Sequence, residues 1–198
     1  YTADKVMVVY HDDSIILGTD EMSIYESSFK EINSTLSESA ENTINRVISL
    51  DELLKTLPEK ILINIEVKSK QINSDGVEDA LINLIERYKL SDRLMVSSFN
   101  PFLLRRIKKI EKNIFTGYLL GEDSMYRLAN NKYIRALRYI LGTLYCKPDA
   151  INPEINYLNS TMNNFIKRYE MALFPYTVNS NIEFEKAISM RANGFFSD

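Results

Sequence analysis

The chain has 198 residues, 45% of them hydrophobic and 26% charged, with a formal net charge of −3. That is enough apolar material for one domain with a sizeable core, and the slightly acidic balance speaks against nucleic-acid binding, which needs a basic patch. A single cysteine, Cys146, and a single histidine, His11, exclude an internal disulfide and a zinc site of the Cys/His type.

The first apolar run, Val6–Tyr10, reads as a strand ending on His11-Asp12-Asp13. Residues 21–48 are polar, rich in Ser, Glu and Asn, and weakly periodic, and are expected to be a long loop with at most a turn of helix. Ser49-Leu-Asp-Glu52 has the form of a capping box and opens a short helix. A second apolar run, Ile61–Val67, carries Glu66 near its end and is followed by Lys68. Asp75-Gly-Val-Glu78 precedes a helix with Ala80, Leu81, Leu84, Ile85 and Tyr88 on one face. Leu94–Ser98 is the next strand and leads into Phe99-Asn100. Phe102, Leu103, Ile107 and Ile110 then mark a helix whose basic cluster, Arg105-Arg106-Ile-Lys108-Lys109, reads as its wet face. Phe115–Leu120 and Ala150–Asn152 are strands, separated by a long segment in which Cys146 reads as a small buried hydrophobe. Met162, Phe165, Ile166 and Tyr169 mark another core-facing helix. Leu173–Val178 is a strand, Ser180-Asn-Ile-Glu183 a second capping box before Phe184, Ala187 and Ile188, and Gly194–Phe196 a last strand.

Most of these strands carry apolar residues at consecutive positions, the pattern of a parallel sheet covered on both faces. Alternation of such strands with helices implies an α/β fold. With only six glycines there is no G-x-G-x-x-G and no P-loop, so a TIM-type (β/α) barrel is expected rather than a doubly wound nucleotide-binding sheet. No domain boundary stands out, and residues 1–198 read as a single domain. No apolar stretch approaches the ~20 residues needed to span a bilayer.

In a parallel barrel the C-terminal strand ends converge on one face. His11, Glu66, Lys68, Phe99 and Tyr176 all lie at such ends, and alternation places Glu66 and Lys68 on one side of their strand. Taken together they suit a phosphate ester. A carboxylate can hold a hard divalent cation such as Mg²⁺ or Ca²⁺, a lysine can face a phosphate oxygen, and a histidine can protonate a leaving alkoxide. Each has a plainer alternative: His11 beside Asp12 as a surface pair, Glu66 with Lys68 as a strand-end salt bridge, Tyr176 as core.

In order along the chain, several segments resemble the glycerophosphodiester phosphodiesterase family. Thr2-Ala-Asp4-Lys is similar to the family's turn before the Val-Val-x-His-Asp strand, here Val8-Val9-Tyr10-His11-Asp12. Gly18-Thr19 stands where the family has Arg-Thr-Thr. Ser49-Leu-Asp-Glu-Leu-Leu54 resembles its Leu-x-Glu-hydrophobic helix. Asn64-Ile-Glu66-Val-Lys68, Ser97-Ser-Phe99 and Tyr176-Thr-Val-Asn179 resemble three of its strands, the last with Tyr in place of Trp. Gly194-Phe-Phe-Ser-Asp198 is similar to its closing strand. The resemblance implies a TIM-type barrel and metal-dependent hydrolysis of a small glycerophosphodiester to glycerol 3-phosphate and an alcohol. It implies that His11 is one of two acid/base histidines, Glu66 a ligand of a divalent metal (Mg or Ca), Lys68 a phosphate contact, and Phe99 and Tyr176 pocket walls.

The family's opening His-Arg-Gly strand and its Glu-x-Asp strand have no counterpart here. Glu41-Asn42-Thr43 is similar to a family Pro-Glu-Asn-Thr but falls on the wrong side of His11. These departures lead to the expectation that the sequence is part of a longer chain, a barrel lacking its first strands and inactive by itself. They leave open a second reading: a non-catalytic barrel that binds phosphorylated polyols or has a structural role.

Overall fold

The computed structural model describes residues 1–17, 19–38, 46–121 and 132–198. They fall into two compact units, one of Tyr1–Ile61 with Asp75–Leu90, the other of Leu62–Ser74 with Ser91–Asp198.

The first unit begins with a tight turn in which the Lys5 amide donates to the Thr2 carbonyl at 2.9 Å and the Thr2 hydroxyl to Asp4 at 2.6 Å. Strand β1, Val8–Val9, then pairs antiparallel with β4, Ile48–Ser49. The expected first strand is thus shorter than predicted and does not join a parallel sheet; Val9 is on its exposed side. Strands β2, Ser14–Leu17, and β3, Asp20–Ser23, form an antiparallel hairpin. The stretch expected to be a loop holds, besides β3 and β4, a ten-residue helix, α1, Phe29–Glu38. Its start is capped by Ser28, whose hydroxyl accepts from the Glu31 amide while the Glu31 carboxylate accepts from Ser28. Only Ile32 and Leu36 of α1 are buried, one pair a single turn apart, too thin a stripe for periodicity to show. They close a small core with Ile15, Ile24 and Val47.

Ser49 caps α2, Leu50–Thr56, by accepting from the Glu52 amide. The reciprocal half of the expected box is replaced, because the Glu52 carboxylate pairs with Arg46. Helix α3, Val77–Arg87, starts at Gly76, whose φ of 91° lies in the left-handed region open to glycine. The Asp75 carboxylate accepts from the Val77 amide there. Asp51 of α2 ties the two helices by accepting from Arg87 and from the Tyr88 hydroxyl, both at 2.9 Å.

The second unit is built on a five-stranded parallel sheet in the order β5 (Ile63–Glu66), β6 (Leu94–Ser98), β7 (Phe115–Leu120), β8 (Ala150–Pro153) and β9 (Ala172–Leu173). Strands β6 and β7 have the bounds read from the sequence, because their apolar residues are covered on both faces. Register runs from Glu66 opposite Ser97, through Ser97 opposite Gly117, to Gly117 opposite Ala150. The last two expected strands are less regular. β9 stops at Leu173, and Tyr176 rejoins the sheet by a single parallel bridge to Glu154. Residues 194–196 form no strand, though Phe196 exchanges backbone bonds with Val178 and Pro175.

Helix α4, Pro101–Ile110, is capped by Asn100 and has proline in its first turn. It buries Leu103, Leu104 and Ile107, whereas Ile110, placed on the core stripe by its spacing, is exposed. Helix α5, Lys132–Cys146, packs on β7, and Cys146 is fully buried as expected. Helix α6, Ser160–Arg168, buries Ile166 and leaves Tyr169 exposed at its end. Helix α7, Asn181–Ser189, has the full capping box of Ser180 and Glu183 but buries only Ala187, with Phe184 and Ile188 outside. Gly18 and Glu41-Asn42-Thr43 lie outside the described residues.

Candidate active site

In the first unit, His11 follows β1 in a bend. Its Nδ1 lies 2.8 Å from Asp12 Oδ1, with 84% of the histidine side chain exposed. The surface pair foreseen as the plain alternative is therefore present. A partner on Nδ1 leaves Nε2 as the other ring nitrogen able to exchange a proton.

The other site residues lie in the second unit, at the C-terminal edge of the sheet. Glu66 closes β5 and Lys68 follows two residues later. Alternation puts them on one side as expected, and Lys68 Nζ stands 3.5 Å from Glu66 Oε1 with both side chains about a third exposed. Phe99, just after β6, and Tyr176 meet edge to face, with ring centroids 6.3 Å apart and planes at 89°, so the two aromatics expected to line the pocket are in contact.

The backbone behind this edge is firmly held. Val67 donates its amide to the Ser97 carbonyl, and the Ser98 hydroxyl donates to the Val67 carbonyl at 2.7 Å. The fully buried Asn100 side chain accepts from the Phe102 and Leu103 amides. It also donates to the carbonyls of Ser69 and Gln71 at 3.0 and 2.8 Å. One carboxamide thus caps α4 and fixes the loop that carries Lys68.

Two further residues belong to this edge and were missed in the sequence. Glu154 follows β8, and Gly121 follows β7. A Cβ at Gly121 would collide with the Tyr176 hydroxyl and lie 3.3 Å from the Glu154 carboxylate; only a glycine lets those two groups sit against the strand end. The same strand-end logic that singled out Glu66 applies to Glu154, which follows the apolar run Ala150–Asn152. Among the described residues, no three His, Cys, Asp or Glu side chains come together in a group able to hold a metal ion. Glu66 is a carboxylate beside the lysine.

The sheet order and helices match a well-populated fold. The chain aligns over all its length with a structure of a glycerophosphodiester phosphodiesterase from Parabacteroides distasonis at TM-score 0.73 and 20% identity, covering 76% of that chain. It aligns over 99% of its length with an Oleispira antarctica phosphodiesterase in complex with the product sn-glycerol-3-phosphate, at TM-score 0.71 and 18% identity, covering 77% of that chain. The fold is that of the α/β TIM-type barrels. A glycerophosphodiester phosphodiesterase of Caldanaerobacter subterraneus is 27% identical over 204 residues, which is 100% of this chain and 78% of that protein. The class so defined is the phosphoric diester hydrolases. More narrowly, the model of the glycerophosphoryl diester phosphodiesterase family matches residues 1–198, and the chain belongs to that family.

Proposed function

We propose that the protein hydrolyses small glycerophosphodiesters to glycerol 3-phosphate and an alcohol, with Lys68 on the phosphate, His11 as a proton donor and Glu66 as a ligand of a divalent cation. The observation that carries this reading is the Glu66–Lys68 pair at 3.5 Å on the C-terminal edge of the sheet, in a chain of this family. Lys68 supplies a point charge for a non-bridging phosphate oxygen. Phe99 and Tyr176 wall off the ester from water on one side. His11 gives its proton to the departing alkoxide, so that the alcohol leaves neutral. The attacking group is the neighbouring glycerol hydroxyl, through a cyclic phosphate, or water.

The donor chemistry suits Mg²⁺ or Ca²⁺, which take oxygen ligands; Mg²⁺ in particular is often held through one or two carboxylates, its own waters and substrate phosphate. Such an ion would neutralise phosphate charge, and Glu66 would supply one of its oxygens. With Glu66→Gln, the Mg²⁺ or Ca²⁺ concentration giving half-maximal release of glycerol 3-phosphate is expected to rise at least about tenfold, the usual scale for weakening a metal site. The measurement is glycerol 3-phosphate formation against metal concentration in the full-length protein. An unchanged metal requirement would remove Glu66 from the proposed ligand set, and absence of glycerol 3-phosphate from any glycerophosphodiester would overturn the activity itself.

A further inference from the structure

Helix α5 is apolar on two opposite faces. Its inner face packs on β7: the Tyr139 hydroxyl donates to the Gly121 carbonyl at 3.0 Å, Gly142 lies against the Tyr118 ring, and Cys146 is fully buried. Its outer face carries Leu137, Ile140, Leu141, Leu144 and Tyr145, all between 41% and 56% exposed. These positions follow i, i+3/i+4, i+7 spacing and so form one continuous stripe. A contiguous exposed apolar patch marks an interaction surface.

Charge points to the occupant. Neither α4 nor α5 contains an acidic residue, although the chain as a whole is acidic. The two helices are in contact through Phe102 and Tyr145, whose ring centroids are 5.2 Å apart. Arg138 is exposed within the stripe, and Lys147 is exposed just beyond it. Arg105 and the exposed Lys109 stand three and seven residues after Phe102 on α4, and so on the helix face that meets Tyr145. The basic cluster of α4 is thus part of a larger surface. Next to the stripe, α5 and α6 border a cavity of about 580 Å³ lined by Ile140, Met162, Phe165 and Ile166 among others.

We propose that the outer face of α5, with its basic rim, docks this protein on an anionic lipid surface. The stripe enters the boundary between headgroups and acyl chains, Arg138, Lys147, Arg105 and Lys109 face the lipid phosphates, and the cavity beside Ile140 accepts an acyl segment. An apolar stripe bordered by cations is the composition of a helix that lies in the plane of a membrane interface. No helix among the described residues is long and apolar enough to cross a membrane, so this contact is peripheral.

The test is co-sedimentation of the full-length protein with vesicles of phosphatidylcholine, with and without phosphatidylglycerol. Binding to the phosphatidylglycerol vesicles is expected to be at least about tenfold stronger than to phosphatidylcholine alone, and to fall as salt rises. Arg138→Ala should weaken it about fivefold, the value of one cation near such a surface. Leu141→Gln with Leu144→Gln should weaken it at least about tenfold with an unchanged melting curve, because both side chains already face solvent. Three outcomes would each overturn the proposal: no binding to phosphatidylglycerol vesicles, equal binding to both kinds of vesicle, or wild-type binding by the variants. A concentration-dependent dimer that the leucine variant dissociates, without vesicle binding, would assign the stripe to a second copy instead.

Discussion

His11→Ala is expected to slow hydrolysis of a glycerophosphodiester with an alkyl alcohol by about 100- to 10,000-fold, the range that a positioned acid or base supplies. The reason is leaving-group chemistry. An alkoxide is a poor leaving group unless it is protonated as it departs, and the chain contains one histidine. The contact with Asp12 at 2.8 Å orients the ring through Nδ1 and frees Nε2. A p-nitrophenyl ester separates this role from a structural one, because its leaving group departs as a stable anion. On that substrate His11→Ala should cost less than about tenfold, while Lys68→Ala should slow both substrates alike, since both carry the phosphate. Equal losses on the two esters would remove His11 as the acid. No loss on either would leave the Asp12 contact as a surface pair and nothing more.

Asn100→Ala is expected to lower stability by about 3 kcal/mol. Loss of the cap on α4 accounts for roughly 1 kcal/mol. The rest comes from the Ser69 carbonyl, which loses its donor in a buried place, at about 1–3 kcal/mol; the Gln71 carbonyl is on an exposed residue and keeps Arg106 as a donor. For a chain of this size such a loss lowers the melting temperature by roughly 6–12 °C, which a thermal melt followed by circular dichroism resolves. Asn100→Asp keeps the acceptor for the Phe102 and Leu103 amides but sets a carboxylate against two carbonyls. It should therefore be at least as destabilising as the alanine variant, although aspartate is an equally good cap. A milder effect for Asn100→Asp would mean that capping, and not the tie to the Lys68 loop, dominates. Because that tie holds the loop after β5, both variants should also raise KM for the phosphodiester at temperatures where the protein stays folded.

How far the architecture was legible depended on how each element is buried. β6 and β7 are covered on both faces, so their apolar runs match their bounds residue for residue. α1 was not legible by periodicity, since it buries only Ile32 and Leu36. It was legible by capping, because Ser28-Phe-Lys-Glu31 has the same form as the box at Ser180. The hairpin of β2 and β3 is short and half-exposed: β2 has an apolar run of Ile15-Ile16-Leu17 alone, and β3 is mostly polar, so neither gives a pattern long enough to mark a strand. Ile110, Tyr169 and Ile188 share the spacing of core stripes but face solvent, because spacing fixes a direction around the helix only once the neighbouring residues have settled which face is inward.

The candidate site divides in a similar way. Glu66 at the end of β5 and Lys68 two residues beyond it were placed on one side by alternation alone. The meeting of Phe99 with Tyr176 and the seat of Glu154 against Gly121 depend on strand order and register, which no local pattern encodes. His11 lies in a different unit from these residues, and its part in the chemistry rests on the variant tests above.

The buried sulfur at the end of α5 gives the protein an internal clock. Cys146 is the only thiol of the chain, is fully covered, and has its ionisation pushed by burial up to about 12. Only a thiolate attacks a disulfide reagent at a useful rate, so each modification event records a moment when the end of this helix has come away from β7. The ratio of the native labelling rate to that of the unfolded chain is then a direct reading of how often this one region opens. Taken with and without vesicles, it would report from the inner face of α5 on what happens at the outer one.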